Sequence, residues 1–437
     1  MKLIKVSFII AVAVLALVGI SATSYAFHDG GVARCGGCHT MHNSFQGTVM
    51  TYNKALTAGD PLQNQKFLLV GADQSSACLS CHGKGSGTSS YHVSTQSVVS
   101  GSNANMFGQQ MTPGGDFSWV KINYKTAAGT GSGYGERHGH NIVATDFGYA
   151  ADATNTTAPG ATVAYAASAL NCISCHDPHA SARRDSTGTI VYRTATTFPP
   201  IMESGSYGAQ PTAGEAVGVY RFLGSVGYKP LSYPAGPAFA NSAPLAIVPN
   251  SYNMEESTHE VRTAYGNGMS EWCANCHDKF LNTTLSLGTG GHPHPAGAAI
   301  GASTSAIYNA YIKTGDMTGT DGYTSLVPVE VGAGAAYDAT LLSYATSTPG
   351  NETYNASTAA SVVMCLSCHR AHASGFDSMI RWYNSDAFIT EDGAYTTSAN
   401  GNVQNGNTQA QMAYYKRPET GFALWQRVLC NKCHAKD

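Results

Sequence analysis

The chain has 437 residues, 12 cysteines and only 12% charged residues, with a formal net charge of −3. About a quarter of an ordinary soluble domain is charged, so something other than Lys, Arg, Asp and Glu must cover this one. The balance carries no basic block, which argues against nucleic acid and anionic membrane surfaces as partners, and twelve cysteines make a cytosolic enzyme the poorest fit.

Lys2 and Lys5 open a short basic region, an apolar run extends from Val6 to Ile20, and Ser24 and Ala26 supply small residues around Tyr25. This pattern predicts a signal peptide over 1–26 with cleavage after Ala26. The run is short for a membrane span, which needs about 20 apolar residues, and no later segment is long enough. The mature chain, 27–437, is therefore expected to be exported as a single domain with no membrane span. Loss of two lysines takes its formal charge from −3 to −5.

Every cysteine then falls into one motif. In chain order the pairs are Cys35/Cys38, Cys78/Cys81, Cys172/Cys175, Cys273/Cys276, Cys365/Cys368 and Cys430/Cys433. Each is followed at once by a histidine: His39, His82, His176, His277, His369 and His434. Cys-x-x-Cys-His is the attachment signature of c-type haem. Two thiols add to the two vinyl groups of one porphyrin, and a helical turn brings residues three and four apart onto one face. The histidine then lies beneath the iron as its proximal ligand. Six disulfides would suit an exported chain but give no reason for the histidines. Structural zinc leaves them equally unexplained, and a thioredoxin-type site needs one pair, not six. Six haem c groups are expected.

Ten histidines lie outside the motifs, enough for six distal ligands. His42, His179 and His372 each stand three residues past a proximal histidine. Such a residue emerges on the same side of the ring, so it must reach a different iron and bolt two haems together. His92 lies in a polar loop suited to a reaching ligand. One of His138 and His140, and one of His292 and His294, is expected to ligate. His259, among Glu255, Glu256 and Glu260, reads as a solvated charged face, and His28 is a spare near the mature N-terminus. Met41 and Met364 are possible ligands that the histidine surplus makes unnecessary. Two histidines on each iron leave no position for oxygen or substrate, so the chemistry expected is electron transfer and not catalysis.

The first cysteines of successive motifs are 43, 94, 101, 92 and 65 residues apart, leaving no haem-free region for a separate domain. The gaps are rich in Gly, Ser, Thr, Ala and Asn, as in 83–115, 286–305 and 398–411, and read as loops. Helices are expected over 253–265, 306–314 and 422–430. The fold expected is a multihaem cytochrome, mostly coil with few short helices and little strand. The chain would wrap around a line of six haems that supply the apolar core.

The segments FHDGGVARCGGCHTMHNS (27–44), QMTPGGDF (110–117), GHNIVA (139–144), CISCHDPH (172–179), YGNGMSEWCANCH (265–277), CLSCHRAHASGFDSM (365–379) and LCNKCHAKD (429–437) carry a resemblance. They resemble the OmcS-like six-haem outer-surface cytochromes of metal-reducing bacteria, from end to end of the mature chain. The resemblance implies a filament of identical subunits with a continuous haem chain. It implies that His42 crosses to the neighbouring subunit and ligates the haem held by Cys365, Cys368 and His369. The GHNIVA match favours His140 over His138, and HPAG (294–297) favours His294 over His292. The implied distal set is His42, His92, His140, His179, His294 and His372. Outer-membrane cytochrome conduits, metal oxides, electrodes or partner cells are the implied partners, at the outer surface or outside the cell. A monomeric periplasmic or surface carrier is the alternative, and a haem enzyme a third reading that would need a five-coordinate iron.

Overall fold

The structure, a computed structural model, describes residues 35–39, 44–45, 48–49, 69–83, 91–95, 108–122, 134–192, 201–207, 210–248, 253–257, 263–281, 296–311, 323–331, 357–396 and 407–434. The expectations for the signal peptide and for His28, His42, His259, His292 and His294 fall outside these residues.

Helices are short because the sequence gives them few apolar repeats and many stops. Five α-helices are described: α1 (Cys35–Cys38), α2 (Gln74–His82), α3 (Met269–Leu281), α4 (Gly301–Ala310) and α5 (Asn407–Ala413). In α2 the Asp73 carboxylate accepts the Ser76 N–H at 2.8 Å, and Gly83 ends the helix. This is an ordinary side-chain N-cap. Among the described residues no helix is long and apolar enough to cross a membrane.

A unit built from two haem motifs appears twice. In the first, α2 carries Cys78 and packs on a 3-10 turn, Cys172–Ser174. In the second, α3 carries Cys273 and packs on a 3-10 turn, Cys365–Ser367. The joints match in detail. The Cys172 N–H donates to Ser75 Oγ at 3.0 Å, and the Cys365 N–H donates to Ser270 Oγ at 3.2 Å. Each serine stands three residues before the helix's own first cysteine. Ser174 and Ser367 fold back onto the N–H groups of Asn171 and Met364, closing the start of each 3-10 turn.

Strands are few and brief. Among the described residues the largest sheet has four, in the order β2 (Ile190–Tyr192), β1 (Ala182–Asp185), β4 (Ala216–Gly218) and β3 (Ile201–Ser204). Within it only the β3–β4 pair is parallel. The apolar core is divided into small clusters; the largest gathers Trp119, Tyr308, Leu326, Phe376, Trp382 and Tyr414. A chain of this length ordinarily builds a broader side-chain core.

Two expected helices are not formed. Over the described part of 253–265, Asn253 adopts φ +59 and its side chain bonds Met111 and Gln110, while Ala264–Tyr265 form a strand. Glu256, read as solvated, turns inward and is 5% exposed because it pairs with buried Arg417. Over 422–430 the chain turns and extends along the hairpin Thr390–Glu391/Ala394–Tyr395, to which the Thr390 hydroxyl and the Ile389 and Gly393 N–H groups bond it. The helix expected at 306–314 exists but begins at Gly301, inside a stretch read as loop. Likewise α5 occupies the end of the 398–411 segment.

Candidate haem sites

The six motifs take a helical turn of one of two kinds. Cys35, Cys78 and Cys273 open or ride on α-helix; Cys172 and Cys365 begin 3-10 turns, and Cys430 is the second residue of one, Leu429–Lys432. In the 3-10 cases the following histidine still donates its N–H to the first cysteine's carbonyl: His176 to Cys172 at 3.0 Å, His369 to Cys365 at 3.0 Å and His434 to Cys430 at 3.1 Å.

Four motif histidines have a fixed tautomer. The Nδ1–H donates to a backbone carbonyl in each: His82 to Tyr91 at 2.7 Å, His176 to Arg221 at 2.8 Å, His277 to Pro159 at 2.7 Å and His369 to Ser378 at 2.8 Å. A carbonyl can only accept, so Nε2 is left with its lone pair, the state in which imidazole binds a metal. The backbone is bent to make two of these bonds. Arg221 (φ 52) and Ser378 (φ 55) are left-handed, and each is followed by a second left-handed residue, Phe222 or Met379. Non-glycine residues held there store strain and tend to mark functional positions.

Three further histidines face motif histidines across a gap. The ring centroids of His39 and His179 are 6.4 Å apart, those of His277 and His140 6.1 Å, and those of His176 and His372 6.3 Å. Two imidazoles sharing one metal, each nitrogen about 2 Å from it, have centroids about 6 Å apart. His179 is aimed by Asp177, which accepts the His179 and Ser181 N–H groups at 2.9 and 2.7 Å. The other two come from paired backbone: the His140 N–H donates to the His372 carbonyl at 2.9 Å, and Gly139 bridges Ala373. His140 Nδ1–H donates to Ala371 O at 2.7 Å, while the His372 ring stacks on Phe117 at 4.5 Å.

Burial, then the facing His277, holds His140 down at about 4; burial, then His176, holds His372 at about 3. Both rings are therefore neutral at physiological pH. His138 is 1% exposed and its ring bonds Ser374 O at 3.2 Å, a satisfied core histidine two residues from His140. His92 lies in the 91–95 segment, which is tied to the end of α2 by the Val93 N–H to His82 O bond at 2.8 Å.

The sulfurs of successive motifs are neighbours, in sequence order. Contact with Cys172, ahead of burial, pushes the Cys78 thiol up, and Cys38 adds to the shift. Burial and then Cys276 push Cys175 up. Contact with Cys365, ahead of burial, pushes Cys273 up. Burial, then Cys430 and Cys433, push Cys368 up to about 12. The attachment positions thus run first to sixth through the fold.

The residues fit haem. Among the described residues no cluster of three or more His, Cys, Asp or Glu could hold a metal unaided, whereas a porphyrin supplies four nitrogens and asks the protein for two. Its propionates need cations, and sequence reasoning missed two that are suited to them. Arg370 and Arg381 are 2% and 3% exposed, and Arg370 Nε and Nη2 and Arg381 Nη2 are buried without a hydrogen-bond partner. Their other donors reach only carbonyls: Arg370 that of Pro113, Arg381 those of Leu366, His369 and Ser325. Burial lowers Arg370 to about 10. Buried guanidiniums with orphaned N–H groups call for an anion. Arg370 follows His369 directly in the sequence, a cue that could have flagged it.

No family model matches the chain. It is 47% identical to the C-type cytochrome OmcS of Geobacter sulfurreducens over 458 aligned positions, covering all of both chains. Two solved structures are similar. One, described as OmcS nanowires from the same organism determined by cryo-EM, superposes with a TM-score of 0.78 at 47% identity, over 94% of this chain and all of that one. The other, an outer membrane cytochrome S filament, gives 0.76 at 44% identity over the same shares.

Proposed function

The chain belongs to the OmcS family of c-type cytochromes, and from that premise we propose that it passes electrons through six covalently bound haem c groups as the repeating subunit of an extracellular filament. The observation that carries this reading is the set of three facing imidazole pairs, 6.1 to 6.4 Å apart, in motifs that follow one another through the fold. Haem supplies a one-electron iron couple; the chain holds it and closes it. Cys35, Cys38, Cys78, Cys81, Cys172, Cys175, Cys273, Cys276, Cys365, Cys368, Cys430 and Cys433 form the thioethers. His39, His82, His176, His277, His369 and His434 take the proximal positions.

On the distal side, His179 would hold the haem together with His39, His372 with His176, and His140 with His277. His42, His92 and His294 complete the set, with His42 reaching the His369 site of the next subunit. The Nδ1 anchors orient the ligands and make them more basic, which stabilises ferric iron. With two imidazoles offered to each haem, oxygen and small substrates would find no open site on the iron, so this reading makes the protein a conductor and not an oxidoreductase acting on a small molecule. Export by the 1–26 leader and electron exchange with outer-membrane conduits and with metal oxides, electrodes or partner cells belong to the same reading.

The test is electron microscopy of the purified holoprotein beside a His42→Ala variant, with haem counted by intact mass. Filaments carrying six haems per chain, and six-haem monomers for the variant, are expected. Monomers of the native protein under all conditions would remove the filament, and fewer than six haems would remove the electron path.

A further inference from the structure

Glu330 is a buried carboxyl that the haem framework leaves unused. It is 2% exposed, and its backbone is pinned on two sides, exchanging hydrogen bonds with Val362 at 3.0 and 3.2 Å and bridging Tyr265. Its Oε1 accepts the Met269 N–H at 3.0 Å. Met269 is the first residue of α3, the helix carrying Cys273, Cys276 and His277. A second carboxyl, Glu271, stands in the first turn of that helix with Oε2 buried and unbonded.

The groups acting on Glu330 are Glu271 from α3 and Cys365 from the neighbouring 3-10 turn, which attachment to haem would make a non-titrating thioether; Tyr265 stands on the strand whose backbone bridges Glu330. Segments 296–300 and 361–364 contribute none. Among the described residues, ion pairs join Arg137 to Asp377, Lys416 to Glu255 and Arg417 to Glu256; neither Glu330 nor Glu271 belongs to one. A buried carboxylate without a cation is costly, and a second carboxylate nearby adds to the cost, so the neutral acid is favoured. Burial is the largest cause, Glu271 adds to it, and together they push Glu330 up to about 8 against the opposing Met269 bond.

We propose that Glu330, backed by Glu271, is a proton-binding site coupled to the two haems attached through Cys273 and Cys365. The proposal rests on the electron-transfer reading above. With haem bound, an electron passed on from a neighbouring haem would reduce ferric iron to ferrous and lower the local charge by one. Glu330 would then take one proton from bulk water and become a carboxylic acid; on reoxidation the electron would pass onward and the proton return to water. Reduction raises proton affinity, so by linkage protonation raises the potential. The potential therefore falls as pH rises between the carboxyl's pKa in the oxidised and reduced states, and is flat outside that window.

The experiment is a spectroelectrochemical redox titration of the native holoprotein and its Glu330→Gln variant across a range of pH. The native protein is expected to show a pH-dependent couple approaching a tenfold change in its reduction equilibrium per pH unit, 59 mV for one electron. Glu330→Gln should keep six haems and lose that component. Glu271→Gln, a second variant should the first not fold, should keep the slope and move the window to lower pH. A redox-difference infrared spectrum should gain a protonated carboxyl band on reduction only where Glu330 is present. The same slope and band in Glu330→Gln would overturn the inference, as would six reversible couples all indifferent to pH. Absence of reversible couples would instead fail the underlying electron-transfer reading.

Discussion

Replacing His140 with glycine removes one ring of the pair that stands 6.1 Å from His277 and should open one iron in six. The structural loss is small. One hydrogen bond to Ala371 O disappears, worth about 1 kcal/mol, and glycine adds about 1 kcal/mol of backbone entropy. The segment's own pairing survives, because the residue-140 N–H still donates to His372 O. The effect should therefore be read at the haem. About one sixth of the iron becomes high-spin, one carbon monoxide binds per reduced chain, and added imidazole restores the native spectrum. His138→Gly is the internal control. It empties a site only 1% exposed and should cost about 2–4 kcal/mol of stability while leaving every iron low-spin. Carbon monoxide binding in His138→Gly and none in His140→Gly would refute the assignment.

Gly114→Ala places a methyl 3.0 Å from His372 Nδ1 and should displace that ring, giving a second route to a single high-spin haem, seen by electron paramagnetic resonance. Ser378→Val puts a β-branched residue at φ 55, which costs about 1–3 kcal/mol. It should also loosen the carbonyl that accepts from His369 Nδ1 and raise one haem's potential, whereas Ser378→Gly should keep the native value. Burial holds His138 down at about 3, so the unfolded chain binds the extra proton first as pH falls. Its contribution to stability is complete above about pH 6.5 and is lost towards about pH 3, up to about 4–5 kcal/mol; His138→Asn should flatten denaturation profiles over that window. Glu256→Ala removes the buried partner of Arg417 and should destabilise by about 3–5 kcal/mol in denaturant titrations.

What could be read from residues alone was local chemistry. Cys-x-x-Cys-His points to its cofactor within five positions, and two of the histidines three residues further on, His179 and His372, do lie opposite the histidine of another motif. The excess of coil followed from glycine- and serine-rich gaps. The helix expected at 253–265 failed because Asn253, Glu256 and Tyr265 each answer to partners far along the chain: Met111, Arg417 and Glu330. Spacing likewise could not separate His138 from His140. Only the pairing of 138–140 with 372–374 turns one ring into the core and the other towards His277. The carbonyls that hold the motif histidines were invisible for the same reason, since Arg221 lies 45 residues from the His176 it orients. Arg370 and Arg381 stand out only in the fold, where burial leaves some of their N–H groups without an acceptor.

A cryo-EM map of the purified native holoprotein would decide whether these imidazole pairs hold haem. Filaments are expected whose subunits each hold six haems in sequence order, with iron density midway between His39 and His179, His176 and His372, and His277 and His140. Isolated monomers, or irons ligated by any other pairing of these histidines, would contradict this.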